Sequence, residues 1–287
     1  MGEYNEVGEM SFHGKGRWKA APEACRYGVS KLAVRGPKRS LTNEYVAFLG
    51  GTETYGKFVA RPFAQGIEAA TGVACVNLGQ PNAGIDVMLG DTGLTRIASG
   101  AAAAVVQVPC AANLSNPFYK VHSRRNDRFL RAEPPLRALF PEVDFSEFSF
   151  TRHMLMHLKA VSPERFGQLR LELARAWETG MRMLIAGIRA PVILLWFSER
   201  APDRDEDAVE ARCEPVLVGR EMVAGLQRHA VAFVEAGKVA QVGARVASPP
   251  SDAAGDEAGV PRDLPGQAAH DAVAEALIPV LAGVLDP

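Results

Sequence analysis

Cysteine is scarce and unpaired. Cys25, Cys75, Cys110 and Cys213 are scattered through 287 residues with no Cys-x-x-Cys spacing. That excludes a zinc ribbon or a disulfide framework as the basis of the fold, and a reducing, cytoplasmic compartment is the expectation. Neither sign of charge is in excess. The formal net charge is −1, so no overall field draws the chain to nucleic acid or to an anionic membrane, and neither is expected as a partner. No apolar run approaches the ~20 residues that span a bilayer, and Met1-Gly2-Glu3-Tyr4-Asn5-Glu6 is too acidic and polar for a signal peptide. There is no GxxxxGK[ST] phosphate loop. His153 and His157 share a helix face by spacing. The intervening Met154-Leu155-Met156 offers no glutamate base and no third ligand is evident, so no metal is expected, and no cofactor.

Against these absences stands an ordinary globular composition, 47% hydrophobic and 23% charged. One segment is dense in signals. Val46-Ala47-Phe48-Leu49 ends in Gly50-Gly51, followed by Thr52-Glu53-Thr54-Tyr55-Gly56. This pattern predicts a buried strand breaking through a tight turn into a helix start, the place where open α/β sheets bind ligands. Paired glycines let the backbone turn sharply and approach a bound group.

Strand and helix signals then alternate. Strands are predicted at 45–49, 73–78, 101–108, 191–197 and 230–235, and helices at 57–71, 85–89, 163–188, 218–227 and 267–285. Ser162 and Pro163 make a helix start of N-cap and first-turn proline. The pattern predicts a three-layer α/β fold on a five-stranded parallel sheet with helices on both faces. Residues 1–41 read as an irregular arm and 42–287 as a single α/β domain. An insertion at 114–188 is expected to be built of helices and loops and to lie as a lid over the strand ends. Residues 198–213 read as an exposed charged loop, and 247–263, rich in Pro, Gly, Ala and Asp, as mobile.

The order of the motifs resembles the SGNH/GDSL hydrolases. Gly50-Gly51-Thr52-Glu53-Thr54-Tyr55-Gly56 resembles their first block, Asn77-Leu78-Gly79-Gln80-Pro81-Asn82-Ala83-Gly84 their second, and Val105 to Asn113 the strand of their third. His270-Asp271-Ala272-Val273 resembles the start of their last helix. The resemblance implies a flavodoxin-like sheet and ester hydrolysis or acyl transfer. Thr52 would be nucleophile, the Gly79 N–H and Asn113 would hold the oxyanion, and His270 would be base. The chain departs from the pattern: Thr52 replaces the family's serine, Gly51 its aspartate, and the tail lacks Asp-x-x-His. The whole chain also resembles an uncharacterised family of alphaproteobacterial proteins through 25–32, Arg35-Gly36-Pro37 and 121–129.

Each candidate has a structural alternative. Thr52 can be a helix cap, Gly79 and Gly84 turn glycines, Asn82 and Asn113 turn residues. His270 can be a surface histidine, and Glu53 either an orienting carboxylate or a solvated first-turn one. Gly50, Gly51 and Asn82 are the candidate ligand cradle. His122, Arg124, Arg125 and Arg128, with Arg131, suit bidentate capture of an anion or form a solvated basic stretch. Three functions stay open. The first is a divergent hydrolase or acyltransferase acting on an ester of a polar, carbohydrate-like or anionic small molecule. The second is a sulfuryl or phosphoryl transferase using the Arg cluster. The third is a non-catalytic polysaccharide- or partner-binding module. Oligomeric state is not legible.

Overall fold

The computed structural model describes residues 23–203, 209, 211, 214–236, 246–247 and 263–286. The elements run β1 (Ala24–Arg26), β2 (Ala33–Arg35), β3 (Tyr45–Leu49), α1 (Thr52–Tyr55), α2 (Phe63–Thr71), β4 (Ala74–Asn77), α3 (Ile85–Gly90), α4 (Thr92–Ser99), β5 (Ala103–Gln107), β6 (Tyr119–His122) and β7 (Arg125–Ala132). There follow α5 (Pro134–Leu139), α6 (Thr151–Val161), α7 (Pro163–Gly187), β8 (Val192–Trp196), α8 (Arg220–Gln227), β9 (Ala232–Glu235) and α9 (Gln267–Leu285).

Five strands form one parallel sheet in the order β4-β3-β5-β8-β9. Counted within the sheet this is 2-1-3-4-5, the flavodoxin-like doubly wound order. All residues of β3, β5 and β8 are buried, as both faces of a parallel sheet require. Successive side chains alternate between two cores. Val46 and Phe48 join Phe63, Ile67, Val273 and Leu277 on the α2/α9 side. Ala47 and Leu49 join Ile85, Leu173, Trp177 and Met181 on the other. The two helical layers and the sheet between them are the expected three-layer α/β fold.

Three sequence expectations are corrected. Residues 119–132 form an antiparallel hairpin, β6–β7, with register shifts around Val121, where only helices and loops were expected. The Arg-rich surface conceals Val121, Asn126 and Phe129, which point inward. Next, α7, the last part of the presumed lid, is a wall of the core: Leu169, Leu173, Trp177, Met181 and Leu184 are fully buried. Its start is as predicted, with the Ser162 hydroxyl accepting from the Arg165 N–H at 3.3 Å. Finally, α9 is long and apolar enough to cross a membrane by length and composition, with mean hydropathy 1.5, although no such run was expected. Here Val273, Leu277 and Leu281 bury its inner face against the sheet.

The described part of the arm is a β1–β2 hairpin with Val34 and Leu32 inward. Its Arg35 guanidinium donates to the carbonyls of Gly56 (2.8 Å), Val59 (3.1 Å) and Ala60 (3.3 Å), tying the arm to the chain that leaves α1. Residues 248–262, most of the expected mobile segment, and Cys213 lie outside the described residues.

Candidate functional site

The carboxyl ends of β3, β4 and β5 deliver three loops to one rim. Beyond β4 the pairing with the first loop continues, with Leu78 N–H donating to Phe48 O (2.8 Å) and Gln80 N–H to Gly50 O (3.0 Å). This draws residues 78–84 alongside the glycine turn. Asn82 adopts a left-handed backbone, φ +59°, which Asn tolerates better than most residues. Its N–H donates to the Thr52 hydroxyl oxygen at 2.9 Å, and the Thr52 hydroxyl lies 3.5 Å from Asn82 Oδ1. Thr52 and Asn82 are therefore brought together across two loops.

Thr52 is the first residue of α1, and Gly51 is the cap. Glycine has no side chain to accept the helix's leading N–H groups, and an amide from the adjacent strand replaces it. Gln107, the last residue of β5, accepts through Oε1 from Gly51 N–H (3.2 Å), Thr54 N–H (3.2 Å) and the Thr54 hydroxyl. Its Nε2 donates to Glu53 Oε2 at 3.0 Å. Glu53 is thus a buried carboxylate, which corrects the reading of a solvated first-turn glutamate.

The neighbouring helix uses the same device. Gly84 caps α3 without a side chain. Asn126, completely buried in the hairpin, accepts through Oδ1 from Gly84 N–H (2.8 Å) and Val87 N–H (3.1 Å). Its Nδ2 donates to His122 O (3.0 Å) and its backbone N–H to Asn82 O (3.0 Å). Neither Gln107 nor Asn126 was singled out from the sequence. Both cap helices in trans, so no local cap motif marks them. A glycine immediately before each helix was the only local trace.

Asn113, in the loop after β5, is buried close to Gly84: a Cβ on Gly84 would lie 2.3 Å from the Asn113 carbonyl oxygen. Its Oδ1 accepts from the Thr151 hydroxyl at 2.6 Å. The same hydroxyl lies 3.3 Å from Asp127 O, so Thr151 ties the Asn113 amide to the chain of the hairpin.

Other candidates are placed differently. The Gly79 N–H is consumed by Asn77 Oδ1 at 2.9 Å. A Cβ there would sit 2.4 Å from Tyr55 N, so this glycine serves close packing rather than an oxyanion. At Gly50 a Cβ would lie 2.1 Å from Thr54 Oγ1 and 2.5 Å from Gln107 Oε1. Its missing side chain makes room for protein atoms, not for a ligand. At Gly51 a Cβ would lie 3.2 Å from both Ala83 O and Glu53 Oε2.

His270 is the largest departure. Its ring is buried, stacked on Phe63 (5.7 Å) and edge-on to Phe197 (5.0 Å). Nδ1 accepts from Phe63 N–H at 3.2 Å, which puts the ring proton on Nε2. Burial drives its pKa down to about 3, the Asp271 carboxylate opposing and Arg35 reinforcing the shift. It is a neutral core imidazole, neither the surface histidine nor a base presented to Thr52.

The basic cluster does not converge. His122 and Arg124 are exposed at the hairpin tip, with Arg124 N–H donating to His122 Nδ1 at 3.2 Å. Arg125 reaches Asp127 at 3.7 Å, Arg131 pairs with Glu133 at 2.8 Å, and Arg128 lies 3.9 Å above the Phe150 ring. His153 and His157 both pack on Phe148, at 5.1 and 5.3 Å. Burial and the nearby Glu68 carboxylate push the Cys75 thiol up to about 12, so it offers no thiolate nucleophile near neutral pH.

The fold and this rim define an α/β protein with hydroxyl, amide and carboxylate groups gathered at the carboxyl end of a parallel sheet. The chain belongs to the family of a domain of unknown function, DUF6473, which matches residues 10–285. No curated protein matches it. Among solved structures, the crystal structure of a lipase from a goat rumen metagenome matches with a TM-score of 0.39 and 11% identity, covering 82% of this chain and 96% of that one.

Proposed function

We propose that the rim formed by the Gly50–Gly56, Leu78–Gly84 and Val108–Asn113 loops is the cleft of a hydrolase-like enzyme that cleaves or transfers the acyl group of a polar ester. The observation that carries the reading is the Thr52 hydroxyl held by Asn82 N–H at 2.9 Å at the carboxyl end of the sheet, on a rim to which the loop after β5 brings Asn113 beside Gly84. In this reading Thr52 Oγ1 bonds to the ester carbonyl carbon, the bond from that carbon to the alcohol oxygen breaks, the alcohol leaves carrying the Thr52 proton relayed through solvent, and water or an acceptor hydroxyl then takes the acyl group from Thr52. Asn113 Nδ2 then donates to the oxygen on which charge develops, where one fixed donor supplies about 3 kcal/mol. A hydroxyl nucleophile also needs a proton acceptor, and the acceptor is not His270, whose accepting nitrogen is bound to Phe63 N–H. The substrate is a small polar molecule, carbohydrate-like or otherwise.

A second reading is a binding module for polysaccharide or a partner on the same scaffold, and the position of His270 favours it. The anionic-group transferase has less support, because Arg125, Arg128 and Arg131 each engage a different neighbour.

The experiment is turnover of p-nitrophenyl acetate and acetylated oligosaccharides by the wild type, Thr52→Ala and Thr52→Ser. The enzyme reading expects loss with alanine and retention with serine. Turnover indifferent to Thr52→Ala refutes it. Binding of the oligosaccharide without turnover, insensitive to the same change, selects the module.

A further inference from the structure

We infer that Gln107 is the positioning residue of this site, a side chain that acts on the acyl chemistry only through Thr52; the inference rests on the reading above. An N-cap side chain ordinarily accepts the N–H two or three residues into the helix. In α1 the third helical residue is Thr54, and its N–H goes to Gln107 Oε1 together with the N–H of the cap, Gly51. These two backbone anchors bracket Thr52. The Thr54 hydroxyl adds a third donor to the same oxygen.

With three donors on Oε1, the amide has one orientation, and Nε2 is committed to Glu53 Oε2. One side chain therefore fixes the backbone on both sides of Thr52 and the carboxylate next to it. Gln107 ends the middle strand of the sheet and is buried, so its own position is set by the most constrained part of the fold. Gly50 completes the device. Its Cβ would collide with Gln107 Oε1 and Thr54 Oγ1, so the glycine leaves the space that the amide and the hydroxyl occupy.

The consequence is measurable apart from catalysis. Asn82 N–H donates to Thr52 Oγ1 from a different loop, so its hydrogen exchange reports whether Thr52 is in place. The experiment compares amide exchange and ester turnover in the wild type, Gln107→Leu, Gln107→Glu and Thr54→Val, with Thr52→Ala as the reference for a lost Asn82 bond. Gln107→Leu is expected to speed exchange at Gly51, Thr54 and Asn82 by about tenfold or more, leaving Val192–Trp196 unchanged. Turnover should fall with it.

Gln107→Glu distinguishes positioning from bulk packing. Protonated, its carboxyl has an acceptor for Gly51 and Thr54 and a donor for Glu53. Ionised, it faces the Glu53 carboxylate with no donor. Asn82 protection and turnover in this variant should therefore recover relative to wild type as pH falls from 8 to 5. If Gln107→Leu does not fold, this recovery and the milder Thr54→Val carry the test. Unchanged Asn82 exchange in folded Gln107→Leu overturns the inference, as does released Asn82 with undiminished turnover or an absence of acid recovery in Gln107→Glu. If the wild type turns over no ester, the functional reading fails by itself, and Asn82 exchange still decides whether Gln107 places Thr52.

Discussion

Replacing His270 by Asn tests the burial of the imidazole directly. Asn Oδ1 can stand where Nδ1 stands and keep the bond from Phe63 N–H, but it does not titrate. The folded pKa of His270 is about 3, while an unfolded histidine titrates near 6.5. Between those values the unfolded chain binds the extra proton and the folded chain does not, so stability rises with pH across the window and falls as the solution is acidified through 6.5. Starting from pH 8, this one group removes about 2 kcal/mol by pH 5 and about 3 kcal/mol by pH 4, at about 1.36 kcal/mol per unit. At pH 8 the variant should be less stable by about 1–2 kcal/mol, for the lost contacts with Phe63 and Phe197. On acidification the wild type should approach it. Urea unfolding of both proteins at a series of pH values measures the difference, and the His270 ring resonance should not titrate above pH 5. Parallel stability–pH curves, or a ring that titrates near 6.5, would refute the reasoning.

Two further substitutions probe the trans caps. Asn126→Leu leaves Gly84 N–H and Val87 N–H buried without their partner and removes the donor to His122 O, at a cost of about 3–5 kcal/mol. Asn126→Asp keeps both N–H acceptors and loses the donor to His122, so chemical denaturation should rank it between Leu and wild type; equal stability of Leu and wild type contradicts the capping role. Gly50→Ala places a methyl 2.1 Å from Thr54 Oγ1 and 2.5 Å from Gln107 Oε1. Overpacking of that kind costs about 1–3 kcal/mol, and thermal melting should show it even though the new side chain is only a methyl.

The local caps and the apolar periodicity made much of the fold readable. The segment 45–49 is the strand expected, 267–285 the helix expected, and Ser162-Pro163 the start of α7. Five apolar strand segments separated by helical segments imply a parallel sheet because only crossover helices can connect such strands. The β6–β7 hairpin was hidden because its outward positions carry arginines while its inward ones, Val121, Asn126 and Phe129, are widely spaced across a bulged register.

The site divided along the same line. A glycine turn after an apolar strand marks the carboxyl end of a sheet from sequence alone, since backbone freedom and burial are local properties, and the Gly50-Gly51-Thr52 turn was legible for that reason. Partners that meet across tens of residues leave no such trace: Gln107 with Gly51 and Thr54, and Asn126 with Gly84 and Val87. The tertiary structure alone decided that His270 belongs to a neutral aromatic core, because burial and the hydrogen bond at Nδ1 are set by helices α2 and α9 folding together. It alone decided, too, that Arg125, Arg128 and Arg131 face separate neighbours, because strand alternation and the nearest carboxylate or ring direct each side chain.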